Sequence, residues 1–218
     1  MDCILYSVGS SYVGEVHETI QRLGWSVRAY IANQADGGRI PDYLSPIMRK
    51  DQIAPEWLQL PVIFPLITPG YRQQLHEEVT ELGFTCFASV IDPTAIVASR
   101  SSIQPGALVN SGVMIGANCN IGRFVVLNRG VSLGHDVVFE DFVTLGPGAI
   151  VCGGSHIMKG SFVGAGAIIN PGVTVGANCI VGSGTVVRSD VPDNVLLLGN
   201  PGKIAKESIK GYNGVGVR

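Results

Sequence analysis

Residues 125–154 read VVLNRGVSLGHDVVFEDFVTLGPGAIVCGG, and a large apolar residue recurs at every sixth position: Leu127, Leu133, Phe139, Leu145, Val151. Followed outward, the series runs without a slip from Ile91 to Val187. It begins Ile91, Val97, Ile103, Val109, Ile115, Ile121 and ends Ile157, Val163, Ile169, Val175, Val181, Val187. Four residues after each stands a small or β-branched residue, as at Ala95, Ser101, Ala107, Val113 and Cys119. A helix repeats about every 3.6 residues and a strand about every 2, so neither yields a period of six. A coil of three short faces, one hexad per face, does. The fold class is a parallel β-helix of hexapeptide repeats.

The turns agree with that reading. Fourth positions of the hexads are mostly Gly, with Asn118, Asn178, Asp136 and Asp190 at others. These residue types tolerate the positive φ that a sharp corner requires. Three corners read Pro-Gly, at 105–106, 147–148 and 171–172, as a type II turn prefers. A single inserted residue would turn every later inward side chain outward. None occurs, so no loop is expected to leave the prism.

Residues 1–90 follow other periods. CILYSVG (3–9) reads as a buried strand, and Val13, Val16, Ile20 and Leu23 fall on one helical face ending at Gly24. SVRAYI (26–31) is a second strand, PVIFPLI (61–67) a third broken by Pro65, and Leu75, Val79 and Leu82 mark a helix ending at Gly83. The loop-rich segment 33–60 carries Pro41, Pro46 and Pro55. Strand, helix, strand in that order implies a parallel pair. The expected organisation is a small Rossmann-like α/β domain over 1–90, the β-helix over 91–192 and a tail over 193–218.

The chain has 218 residues, 46% of them hydrophobic, and a formal net charge of −2. That balance gives no footprint for nucleic acid. No run reaches membrane-spanning length. Five Cys form no CxxC pair, and Cys119 and Cys179 occupy inward positions, so a reducing cytoplasm is the expected setting.

Third positions are exposed corners, and one holds His135. An imidazole titrates near neutrality and suits a general base, worth roughly 10²–10⁴ in rate. Asp136 is placed to orient it. Gly153 occupies the same corner one coil on, and its bare N–H is a candidate donor to an oxyanion. Arg123, Asp141 and Lys159 stack at another corner as a charge ladder, where Phe124 and Phe142 are expected to pack. His135 and His156 are far apart in sequence, with no nearby His to complete a metal set, so no metal is expected.

These residues, together with LLLGNPGKI at 196–204 and the IDPTA opening of the β-helix, resemble the sialic acid O-acetyltransferase family of sugar acyltransferases. Bacillosamine and perosamine N-acetyltransferases are similar. The resemblance implies a left-handed coil, acetyl-CoA as donor, a homotrimer, and a sugar or sugar-nucleotide acceptor of glycan biosynthesis. It carries His135 onto the family's catalytic His, Asp136 onto its acidic neighbour, Asn128 onto an acceptor-side Asn, and Gly153 onto the glycine that meets the acetyl carbonyl. Thr144 stands where the family has a second His on the acetyl-CoA side. Lys203 and Lys206 either meet coenzyme A phosphates or form a solvated tail. The acceptor-side loop is Gly9, Ser10, Ser11 and Tyr12, with Asn33 where an acid often holds the nucleoside. Tyr12 replaces a phosphate-facing glycine and is expected to crowd that approach.

Outward sixth positions sort by face. Ile96, Met114, Ser132, Ile150, Ile168 and Val186 make one apolar face; Leu108, Val126, Thr144, Phe162 and Ile180 make a second. Ser102, Asn120, Val138, His156 and Thr174 make a more polar third. Two apolar faces meeting neighbours around a threefold axis would explain the asymmetry and place His135 near a subunit seam. The alternative function is a non-catalytic scaffold or ligand-binding protein.

Overall fold

A computed structural model describes residues 1–33 and 42–218; Pro41 lies outside the described residues. The N-terminal unit consists of β1 (Asp2–Tyr6), α1 (Val13–Arg22), β2 (Ser26–Ala32), β3 (Ile47–Arg49), β4 (Val62–Ile63) and α2 (Pro69–Glu81). Its sheet is parallel, in the order β3-β2-β1-β4. The strand expected over 61–67 shortens to two residues, and β3 arises within the segment read as loop.

Strand alternation sorts β1 into two cores. Ile4 and Tyr6 pack with Leu75 and Val79 of α2, whereas Cys3 and Leu5 pack with Val13, Val16 and Ile20 of α1. The two helices therefore cover opposite sides of the sheet. α1 carries the apolar spacing of a half-buried helix, and Gly24 beyond its end has φ +67°. Such a left-handed residue closes a helix at little cost when it is glycine.

The β-helix follows the hexads strand for strand. Two-residue strands from Val90–Ile91 to Val186–Val187 pair in parallel with the coil above and below, such as Val126↔Thr144 and Leu127↔Leu145. The every-sixth residues fill the interior. The coil continues past residue 192: Leu196–Leu198 pairs in parallel with Ile180–Val181, and Val195 and Leu197 join the core. An antiparallel strand, Lys203–Lys206, then folds back on it. The remaining tail returns over the prism, with Tyr212 stacked on Phe162 and Val217 held by Asn178.

The two apolar faces have different partners. Leu108, Val126 and Thr144 are buried within the chain, Leu108 and Val126 against the N-terminal unit, so this second face is not available to a neighbour. Only the face of Ile96, Met114 and Ile150 stays bare, those residues being 67%, 47% and 41% exposed. The expectation that both apolar faces are open to neighbours is corrected: the chain itself covers one of them.

The corners hold one surprise. Asn118, Asp136 and Asn178 adopt positive φ as their residue types predict, but Asp190 does not, and Phe124 and Phe142 do, at +55° and +62°. A bulky residue in that region costs on the order of 1–2 kcal/mol. Both rings stack at 5.2 Å, with Phe64, Phe87 and His76 packed around Phe124. Both carbonyls accept from Arg72, which is 1% exposed. Its guanidinium donates to Phe124 O (3.0 Å), Leu66 O (3.1 Å), Ile67 O (2.7 Å), Phe142 O (2.8 Å) and Val143 O (3.2 Å). Burial pulls its pKa down to about 9, yet it remains charged at neutral pH. Replacing Arg72 with Leu leaves these carbonyls without their donor, and urea unfolding should show a loss of about 3–5 kcal/mol.

Candidate active site

The exposed corner between two faces of the prism carries His135 and Asp136. The positive φ of Asp136 (+57°) turns its carboxylate back toward its neighbour. Asp136 Oδ2 lies 2.7 Å from His135 Nδ1, and its Oδ1 accepts from Asn118 Nδ2 at 3.1 Å. The hydrogen bonds from His135 and Asn118 lower the pKa of the Asp136 carboxyl. Held this way, Nδ1 faces the carboxylate and Nε2 faces away from it.

The ring lies over Gly153. A Cβ built on Gly153 would stand 2.8 Å from both His135 Nε2 and Cε1. Any larger residue would push the imidazole aside, so glycine is required here for space; its φ is not in the left-handed region. Among the described residues the Gly153 N–H has no acceptor. At the same hexad position elsewhere, the N–H of Arg123 and of Ala177 donate to Asp141 Oδ1 and Asp193 Oδ1, both at 2.7 Å. The prism thus presents third-position amides outward to negatively charged oxygen.

Asn128 is separated from this corner. It lies at the other edge of the bare apolar face, with the strand Ser132–Leu133 between it and His135. It is 8% exposed, and its Oδ1 accepts from Asn110 Nδ2 at 3.1 Å. Thr144 is also away from the corner: it is fully buried and donates to Ile67 O at 2.8 Å. Its hydroxyl belongs to the seam between the two units, and the acetyl-CoA role read from its position is corrected. Lys203 stands exposed on the folded-back strand.

A cavity of about 330 Å³ lies where the carboxyl ends of β1 and β2 meet α2. Gly9, Ser10 and Asn33 line it, as do Tyr71, Gln74 and Glu78 of α2. Glu78 accepts from Tyr6 Oη at 2.9 Å and from Asn33 Nδ2 at 3.5 Å. Sequence reading missed Glu78, Tyr71 and Gln74, since polar positions on an amphipathic helix carry no signal of what they face. Ser10 Oγ caps the Tyr12 N–H at 3.2 Å, while the N–H groups of Gly9, Ser10 and Ser11 have no acceptor among the described residues. Ser11 is exposed and does not line the cavity. Nor does Tyr12: its ring turns to the prism and its hydroxyl meets Asn110, so it does not crowd the loop as its position implied. Among the described residues no three His, Cys, Asp or Glu side chains gather as a metal set, and no helix is long and apolar enough to cross a membrane.

Two family profiles match the prism. The bacterial transferase hexapeptide (six repeats) covers residues 154–189, and the hexapeptide repeat of succinyl-transferase covers residues 112–140. No protein of curated function matches in sequence. Among solved structures, perosamine N-acetyltransferase from Caulobacter crescentus, in complex with CoA and GDP-perosamine, is 30% identical. The match covers 94% of this chain and 97% of that one, at a TM-score of 0.85. The acetyltransferase domain of PglB from Neisseria gonorrhoeae, in complex with acetyl coenzyme A, is 25% identical over 93% and 98% of the two chains, at 0.81. WeeI from Acinetobacter baumannii shares the fold at 24% identity over 94% and 100%, with a TM-score of 0.77. The chain belongs to the family of hexapeptide-repeat sugar acetyltransferases that includes perosamine N-acetyltransferase, and it is an acetyltransferase.

Gly153 to Ala tests the geometry of the corner. Its backbone admits Ala, so the melting temperature should stay within about 3 °C. The displaced imidazole should lower acetyl transfer by at least about tenfold, measured as thiol release from the donor.

Proposed function

We propose that this protein moves an acetyl group from acetyl-CoA to an amine or hydroxyl of a nucleotide-linked sugar, with His135 as general base. The observation that carries the reading is the His135 ring, bonded to Asp136 at 2.7 Å and lying over the unpartnered amide of Gly153. Asp136 orients the ring, and Nε2 takes the proton from the attacking nitrogen or oxygen. That atom bonds to the thioester carbon, and the carbonyl oxygen gathers charge against the Gly153 N–H. Collapse breaks the C–S bond, and the departing thiolate receives the proton from the imidazolium. Lys203 is assigned to the phosphates of coenzyme A.

The acceptor's diphosphate is assigned to the free amides of Gly9, Ser10 and Ser11 at the N-terminus of α1, with Asn33 on the nucleoside side. This reading takes the sheet order β3-β2-β1-β4 as Rossmann-like, with the cavity outside its carboxyl ends, and the prism as left-handed. Both N-acetyl and O-acetyl acceptors fit it, sialic acid O-acetyltransferases included. GDP-perosamine and coenzyme A bound to the Caulobacter relative support it. The five unpaired thiols suit a reducing cytoplasm.

The assembly we propose is a homotrimer closed through the Ile96, Met114 and Ile150 face. Asn128 and His135 border opposite edges of that face, so a neighbour's His135 corner comes to the Asn128 side of its partner. Ile150 to Lys should yield a single-chain mass in sedimentation, with the fold retained by circular dichroism. A monomeric wild-type chain would sink the trimer.

The function is tested with UDP-, GDP- and dTDP-linked amino sugars and acetyl-CoA. At least one should release thiol and gain an acetyl group by mass spectrometry. His135 to Ala should then lose about 10²–10⁴ in kcat while still binding the nucleotide in calorimetry. Unchanged turnover in that variant would remove His135 from the mechanism.

A further inference from the structure

The cavity at the carboxyl ends of β1 and β2 has one charged side chain among the described residues that line it, Glu78 of α2. Three strand ends converge on that carboxylate. Tyr6, the last residue of β1, donates its phenol proton to Oε1 at 2.9 Å. Lys50, the residue after β3, brings its ammonium to 3.5 Å from the same oxygen. Asn33, the residue after β2, stands with Nδ2 3.5 Å from Oε2.

The direction of the Tyr6 bond is fixed, because an ionised carboxylate can only accept. Tyr6 is fully buried. That burial, and then the Glu78 carboxylate, raise the pKa of its phenol, so it keeps the proton it donates. Oε1 is thereby engaged. Oε2 has only the long contact to Asn33 among the described residues, and the Glu78 side chain is 29% exposed. One oxygen is anchored, and the other keeps lone pairs to spare beside the cavity.

An anion placed here selects what can lie next to it. It repels a diphosphate, whose charge suits the free amides of Gly9 and Ser10 on the loop beyond β1. It attracts a hydroxyl donor. In parallel sheets that bind dinucleotides, an acid about 20 residues past the glycine loop takes the ribose 2′-hydroxyl. This chain has the neutral Asn33 in that region, and Glu78 reaches the same strand end from α2. We propose that Glu78 Oε2 accepts from the ribose 2′-hydroxyl, so that the acceptor is a sugar linked to a ribonucleoside diphosphate and not to a deoxyribonucleoside one. This rests on the nucleotide-linked acceptor given under the proposed function. The carboxylate that β2 lacks is supplied by a different element, and the buried Tyr6 phenol holds it in place.

Calorimetry with UDP, GDP and their 2′-deoxy forms tests this by binding alone, without turnover. The wild-type chain should hold a 2′-deoxy form at least about tenfold more weakly than its ribose parent. Glu78→Gln retains an acceptor for Tyr6, so its melting temperature should stay within about 3 °C. Its ribose preference should fall to about threefold, as a charged acceptor gives way to a neutral amide. Glu77→Gln removes the same charge one residue away, outside the cavity, and should keep the wild-type preference. Equal binding of ribose and deoxy forms by the wild-type chain overturns the proposal, as does a preference that Glu78→Gln leaves unchanged. Binding of dTDP but of neither UDP nor GDP overturns it while the acceptor reading stands. Binding of none of the three removes the acceptor reading, and this proposal with it.

Discussion

One buried guanidinium holds the two halves of this protein together. Arg72 lies in α2 of the N-terminal unit, and all of its partners are backbone carbonyls: two from the strand-to-helix connection and three from the prism. Five N–H donors in a rigid fork meet five acceptors, so no carboxylate is needed to keep the charge satisfied. The prism carbonyls come from the corners where Phe124 and Phe142 take left-handed conformations. Those corners would be unfavourable alone. The guanidinium and the stack of aromatic rings hold them, and they in turn give Arg72 its acceptors.

That docking decides what the prism can do with its three faces. The N-terminal unit and the returning tail occupy one of them. The apolar face of Ile96, Met114 and Ile150 is left bare, and His135 and Asn128 border its two edges. Docking also brings the first turn of α1 against the Asn110–Asn128 edge, where Tyr12 and Glu15 reach the prism. The regions proposed for binding and chemistry are thus arranged by a contact that involves neither.

The geometry of the His135 corner needs little from the rest of the molecule. His135 and Asp136 are adjacent in sequence, and the positive φ of Asp136 brings its carboxylate to the ring. Gly153 arrives by the stacking of coils, one turn further along. What distinguishes its amide is the imidazole of His135 lying over it: at the equivalent positions of Arg123 and Ala177 the N–H holds a carboxylate oxygen, and here, among the described residues, it holds none.

A strict period of six was enough to determine the prism, its interior residues and its glycine, Asn118, Asp136 and Asn178 corners. Each coil repeats the last, so a local rule fixes a long-range structure. For the same reason the proximity of His135 to Gly153 was legible in advance. The left-handed Phe124 and Phe142 were not, because their conformation is stabilised by Arg72, far away in sequence and buried only when the two units dock. The family resemblance put Thr144 on the acetyl-CoA side, and only the docked Ile67 carbonyl, which accepts from its hydroxyl, shows a buried seam residue. Glu78 at the cavity and Tyr12 at Asn110 were equally silent: their roles depend on which element faces them. Periodicity fixes what repeats, and tertiary packing alone decides which surface each repeat presents and to what.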